Sequence, residues 1–233
     1  MQTKEEIELK VRETRPNHPG YSAPITFRPL KISDSTLLSP IFKREAKSIR
    51  NYLGAYQNAD KWSFSDANKF VSHMVHAEKF PSMHWLFLIG GHAVGLGSLE
   101  PYGSDPRDVQ VVLVVFGNHQ GKGIGTVISN TLKYLAFEVW GFSNLYWLND
   151  ATNVASSKAA QSLGLQLEKS YEDTFIYGER GTGLWYRWKL PRPTNLPPGI
   201  LQGADIDYWS MAKTESMLET IINSRKQSQI SGP

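Results

Sequence analysis

Apolar residues recur along this chain in two rhythms, and the changes from one to the other mark its elements. Ile25 to Leu30 alternates apolar with polar and predicts a short first strand. Ser33, Asp34 and Ser35 can cap a helix running to about Tyr52, and Gly54 closes that region. Ser63 or Ser65 can cap a second helix, in which Ala67, Phe70, Val71, Met74 and Val75 recur at helical spacing. Trp85 to Ile89 and Ala93 to Leu99 read as strands joined by a Gly90-Gly91 hairpin turn. A strand follows over 109–116, its β-branched run from Val111 to Phe116 suited to burial. Val127, Ile128, Leu132, Leu135 and Val139 predict a helix from Thr126 to Trp140. Leu145 to Leu148 predicts a further strand, Asn153 to Leu163 a short helix closed by Gly164, and Leu165 to Tyr177 a long strand.

The pattern weakens beyond that point. Gly178 to Gly183 is a turn cluster, and Leu184 to Trp188 suits a strand or an aromatic loop equally. Pro191, Pro193, Pro197 and Pro198 make the next stretch irregular. Ile206 to Met211 suits a last strand, and Thr214 to Arg225 a C-terminal helix with Leu218, Ile221 and Ile222 on one face. Residues 1–23 are charged, then turn-rich around Pro16, Pro19 and Gly20, and read as an N-terminal arm. Strands alternating with helices, joined in part by tight hairpins, imply an α/β (α+β) domain around a mostly antiparallel sheet.

Composition narrows this. At 233 residues and 40% hydrophobic, the chain can bury one sizeable core, so one domain with extensions is expected. The absence of cysteine excludes disulfides, thiolate metal sites and a cysteine nucleophile. A net charge of +3, dispersed rather than clustered, gives no nucleic-acid footprint and suits an anionic cofactor. No stretch approaches the ~18 apolar residues of a membrane span, and the N-terminus lacks an apolar signal core. A cytoplasmic protein without membrane or metal partners is expected.

The candidate chemistry starts at Gln120-Gly121-Lys122-Gly123-Ile124-Gly125, between the strand at 109–116 and the helix that follows. Glycines there let backbone N–H groups at a helix N-terminus face an anion. The spacing is Gly-x-Gly-x-Gly, neither the dinucleotide fingerprint nor a P-loop, and a plain glycine turn without ligand has the same look.

Gln120, Gly123 and Gly125 resemble the acyl-CoA motif Gln-x-x-Gly-x-Gly of the GNAT acetyltransferase superfamily. Other stretches are similar to its ribosomal-protein N-terminal acetyltransferase (RimJ/RimL-like) branch, in the right order over roughly 24–177. They are Arg28-Pro29-Leu30 with Asp34; Tyr52-Leu53-Gly54; Ser65, Ala67 and Phe70; and Asn153 and Ser156 followed by Gly164 and Glu168. The departures are Leu165 for Phe, Lys169 for Gly, Gln110 for a frequent Glu, and a segment over about 178–204 that looks like an insertion. The resemblance implies a GNAT acyl-CoA N-acyltransferase fold over 24–212, with 213–233 as a C-terminal helix and tail. The stretch from Asp205 to Glu215 would then supply the last strand.

What the resemblance implies for function is direct transfer of an acetyl group from acetyl-CoA to a primary amine, on a protein N-terminus or a small molecule. Gln120, Gly121, Lys122, Gly123, Ile124, Gly125 and Thr126 would hold the pyrophosphate. Val114, Val115 and Phe116 would hold the pantetheine arm, on a strand splayed from its neighbour, and Asn153 would hydrogen-bond that arm. Ser156 would face the CoA sulphur as proton donor; many relatives use a Tyr seven residues after the Asn, where this chain has Ala160. Asn153 and Ser156 equally suit the cap of their helix. Glu100 is the candidate base, although most Glu at strand ends are simply solvated. His119 and Lys122 lie beside the turn, where cofactor or solvent would meet them. Tyr52, Tyr56, Trp62, Trp185, Tyr186 and Trp188 are aromatic candidates for the acceptor pocket; Trp62 suits the core better. The same fold also serves a non-catalytic acyl-CoA-binding or interaction module, an alternative motivated by Gln110 and Ala160. A monomer or a homodimer fits equally.

Overall fold

The computed structural model describes residues 25–49, 58–76, 83–173 and 183–196. In chain order it contains β1 (Ile25–Pro29), α1 (Ser35–Ile49), α2 (Phe64–Val75), β2 (Met83–Ile89), β3 (His92–Pro101) and β4 (Asp108–Val115). Then follow α3 (Ile124–Tyr134), β5 (Asn144–Asp150), α4 (Val154–Ser162), β6 (Gln166–Asp173) and β7 (Gly183–Pro191). The strands form one mixed sheet in the order β1-β2-β3-β4-β5-β7-β6. Every neighbouring pair is antiparallel except β4 and β5. Among the described residues, no helix is long and apolar enough to cross a membrane.

Local chemistry accounts for the element ends. Gly90 and Gly91 both take positive φ, which turns the β2–β3 hairpin as expected. Ser63, not Ser65, caps α2: its hydroxyl oxygen accepts from the Asp66 N–H, and Asp66 accepts from the Ser63 N–H in return. The Arg28 guanidinium grips buried Asp34 with two bonds, of 2.8 and 2.6 Å, and Asp34 also accepts from the Lys31 N–H. That bidentate pair fixes how the chain leaves β1 and enters α1. α3 starts at Ile124, two residues before the expected start, and passes into a π-helical stretch over Leu135–Trp140.

Two hydrophobic clusters sandwich the sheet. α3 and α4 cover one face with Ile128, Leu132, Ala160 and Leu163, packed with Val111, Trp147 and Trp188. α1 and α2 cover the other face over β2–β4, where Leu38, Phe42 and Val71 meet Leu86, Leu96 and Val114. Trp62 packs there against Phe42 and Phe70, as core rather than pocket. Gly95 and Gly97 point at α3 and let it settle close to β3.

The segment expected as an insertion over 178–204 contains β7, which lies between β5 and β6. Trp188 enters the α3–α4 core while Arg187 and Lys189 stay half-exposed, so the strand alternates. Leu184–Trp188 is therefore strand, not aromatic loop. The expected arm over 1–23, Tyr52, Tyr56, the strand at 206–211 and the helix at 214–225 lie outside the described residues, as do 174–177 of the long strand.

His84 on β2 ties stability to pH. Burial, then the nearby His73 of α2, lowers its pKa to about 4 from 6.5. Between those values the unfolded chain holds a proton that the folded chain does not. This contribution is complete above pH 6.5 and is lost as pH falls toward 4, amounting to up to about 3 kcal/mol. Urea titrations at pH 7 and pH 4.5 should show His84→Gln losing less stability than wild type. Equal losses would remove His84 from the account.

Candidate functional site

β4 is hydrogen-bonded to β5 only over Asp108–Val111, which pairs with Asn144–Trp147. Beyond that the strands part. β4 continues to Val115 paired with β3 alone, and β5 continues to Asp150 paired with β7 alone. Among the described residues, β4 has no strand partner on that side from Val112 onward, so a cleft with a backbone edge opens in the sheet.

The glycine turn stands at the open end of the cleft. Phe116 is followed by a 3-10 turn over Gly117–His119, then Gln120. Gly121 and Gly123 have φ of 71° and 77°, left-handed values that a side chain would strain. Gly123 is the N-cap of α3 and no side chain caps that end. The N–H groups of Ile124, Gly125 and Thr126 thus lack an intrahelical partner, the arrangement that attracts an anion. Gln120 is fixed to β4 by its Nε2, which donates to the Val115 carbonyl at 2.9 Å.

A second tie comes from α1. The buried Glu45 carboxylate accepts from the Gly117 N–H at 2.9 Å and from Arg44 Nε at 2.9 Å. A Cβ at position 117 would collide with that carboxylate. No sequence signal marks Glu45, because its partner lies 72 residues away. His119 and Lys122 flank the turn. Burial, then Lys122 and Arg44, pushes the His119 pKa below its usual value. A cavity of about 420 Å³ lies behind the turn, between Leu37, Ile41 and Arg44 of α1 and Ile89, His92 and His119.

At the far wall, Asn153 caps α4 by accepting from the Ser156 N–H at 3.1 Å. The Ser156 hydroxyl oxygen accepts from the Trp147 indole N–H at 2.8 Å. One lone pair is thereby occupied and the hydroxyl proton remains to be given. Asn149, on the same strand as Trp147, takes the Trp188 indole N–H at 2.8 Å and donates to Ser157 at 2.9 Å. Ala160 is fully buried and offers no donor. Trp147 is a partner that spacing could not reveal, since a strand tryptophan ordinarily reads as core.

Glu100 lies on β3 opposite Gln110, one residue pair before the end of the β4–β5 pairing. Burial raises its pKa, opposed by a hydrogen bond from the Ser98 hydroxyl at 2.8 Å. It is therefore not the solvated strand end its position allows, but a carboxyl held closer to neutral pH. The structure brings Val114, Val115, Phe116 and the glycine turn together along one path.

Fold and turn together are those of the GNAT acetyltransferase family. The Acetyltransferase (GNAT) domain model matches residues 25–166, and the chain belongs to that family. Solved structures support the fold. RimL, the ribosomal L7/L12 alpha-N-protein acetyltransferase in complex with coenzyme A, superposes with a TM-score of 0.64 at 14% identity, over 75% of this chain and 97% of that one. Mycobacterium smegmatis RimJ with CoA-disulfide gives 0.64 at 11% identity, over 83% and 90%. The Vibrio cholerae spermidine N-acetyltransferase, with CoA and spermine, gives 0.59 at 15% identity, over 72% and 95%. No curated protein sequence matches the chain.

Proposed function

We propose that this protein is an acetyl-CoA-dependent N-acetyltransferase, acting by direct attack of a primary amine of a protein N-terminus or a small molecule. The observation that carries this is the parting of β4 from β5 beyond Val111, with the glycine turn at its mouth and Glu100 beside its closed end. The residues present fit the cofactor. Gly121 has nothing within 4 Å of where a Cβ would lie. At Gly125 a Cβ would make only an ordinary 3.5 Å contact with Val115, so no neighbour in the chain forbids a side chain there. A phosphate drawn against the backbone would favour glycine at Gly125, while the left-handed φ of 71° already favours it at Gly121.

Acetyl-CoA, when bound, supplies an acetyl group activated as a thioester. The first-turn N–H groups of α3 hold the pyrophosphate, and Lys122 screens its charge. Val114, Val115 and Phe116 line the arm with the backbone edge of β4. Glu100 takes the proton that an ammonium must shed before it attacks, and its raised pKa suits a base working near neutral pH. Ser156 holds a proton on Oγ that it can release; the Trp147 N–H at that oxygen makes the hydroxyl a better donor. Asn153 sets the start of α4 and hence where Ser156 sits.

Incubation with acetyl-CoA and an amine panel tests this. Free thiol should appear only when an amine is present, together with an acetylated product by mass. Tight CoA binding without thiol release across the panel would instead make the protein a binding module, and no binding would remove both readings. Glu45→Ala should weaken CoA binding about tenfold by calorimetry, because it removes the partner of the half-buried Gly117 N–H and leaves the turn less fixed. Unchanged affinity would show that α1 does not steady the turn.

A further inference from the structure

Among the described residues, helices cover only half of the sheet face opposite α3 and α4. α1 and α2 lie over β2–β4. Among the described residues, no helix core is packed on this side of β5, β7 and β6. The register lays a polar row across it, beginning at the proposed base: Glu100 on β3, Gln110 on β4, Tyr146 on β5 and Lys189 on β7. Arg187 stands in the next row, opposite Leu148, beside the opening of the cleft.

The charges on this face are already allotted. Glu168 serves both cations, at 2.6 Å from Arg187 Nε and 3.8 Å from Lys189 Nζ. Arg187 also lies beside the Tyr102 hydroxyl, and Lys189 beside that of Tyr146, over whose ring it sits at 5.4 Å. The Tyr102 and Tyr146 rings meet at a tilt of 36°, centroids 4.5 Å apart, and set the two cations side by side. Asp108 accepts from Asn144 Nδ2 at 2.6 Å and lies by Tyr146 and Lys189. Glu100 is bound by Ser98 and must be left to take a proton. Among the described residues, the carboxylates beside these two cations, Asp108 and Glu168, are thus engaged, and Asp150, farther along the same face of β5, accepts from the Thr152 N–H and hydroxyl. Two half-exposed cations, Arg187 and Lys189, meet whatever lies beside the reacting amine.

We propose that the acceptor is a monoamine with an anionic flank, a peptide N-terminus followed by Asp or Glu, and that polycationic amines are rejected. This rests on the acetyltransferase reading above and adds to it the charge of the substrate. Arg187 can turn its planar fork to an incoming carboxylate, and Lys189 adds a point charge. A polyamine or a lysine-rich N-terminus would bring its extra ammonium groups against the same pair, which rejects by repulsion.

The test compares kcat/KM for peptides beginning Ser-Glu-Glu, Ser-Gln-Gln and Ser-Lys-Lys, otherwise identical, and for spermidine. The acidic peptide should lead the basic one by tenfold or more, with spermidine slower still, and added salt should narrow the gap. Arg187→Gln and Lys189→Gln, each checked by thermal melt, should shrink the acidic-over-neutral ratio while CoA affinity by calorimetry stays unchanged. A basic peptide or spermidine equal to or better than the acidic peptide overturns the proposal and leaves the acetyltransferase reading intact. CoA binding with no acetylation of any amine overturns both.

Discussion

Glu100→Gln lowers kcat/KM for amine acetylation by about a hundredfold or more, the usual contribution of a positioned general base. Glutamine keeps the shape and still accepts from the Ser98 hydroxyl, now 2.8 Å from the carboxylate, but its amide cannot take the amine's proton. CoA affinity should hardly move, because Glu100 is not part of the glycine turn. The pH profile separates this role from a structural one. Burial raises the Glu100 pKa, so the wild-type rate should climb with pH through a value above the ordinary carboxylate range. That limb should vanish in the glutamine variant. Ser98→Ala should move it further up, since the lost hydrogen bond favoured the ionised form. A glutamine variant with full activity and an unchanged limb would hand the proton to water or another group.

Gly95→Ala should cost the most stability of any small substitution in the sheet. A Cβ there would lie 2.6 Å from the Val114 carbonyl oxygen and 2.7 Å from Ile128 Cδ1. The isoleucine end can rotate away, but the carbonyl belongs to β4 and yields only if the strand shifts. Overpacking of this kind costs about 1–3 kcal/mol. Gly97→Ala is the control: its nearest atoms are side-chain ends of Ile128, Leu132 and Phe87, at 3.0 to 3.1 Å. Chemical denaturation should rank Gly95→Ala below Gly97→Ala, which falls below wild type. The reverse order would mean that β4 can move freely where the cofactor is proposed to lie.

Much of this architecture is legible along the chain because local chemistry and tertiary packing agree. The Gly90-Gly91 turn, the Ser63 cap, the apolar strand into the glycine turn and the helix after it each announce themselves within a few residues. β7 does not. Its outward residues, Trp185, Arg187 and Lys189, are an aromatic and two cations, so the alternation with Trp188 looks like composition rather than period. The site divides in the same way. Backbone chemistry needs glycine and a helix start, and both are visible. The ties from Glu45 to Gly117, Trp147 to Ser156 and Arg187 to Glu168 exist only once distant elements meet, and no spacing encodes them.

The short β4–β5 pairing also bears on the mechanics of the molecule. Its four residue pairs make a seam between two antiparallel wings, β1 to β4 and β5 to β6, each complete in its own hydrogen bonds. The 2.6 Å bond from Asn144 to Asp108 fastens one end of the seam like a latch. Toward Val115 nothing in either strand closes it. Whatever bonds to both free edges there joins the wings into a continuous sheet, so the state of that gap governs how stiffly one half of the protein is held to the other.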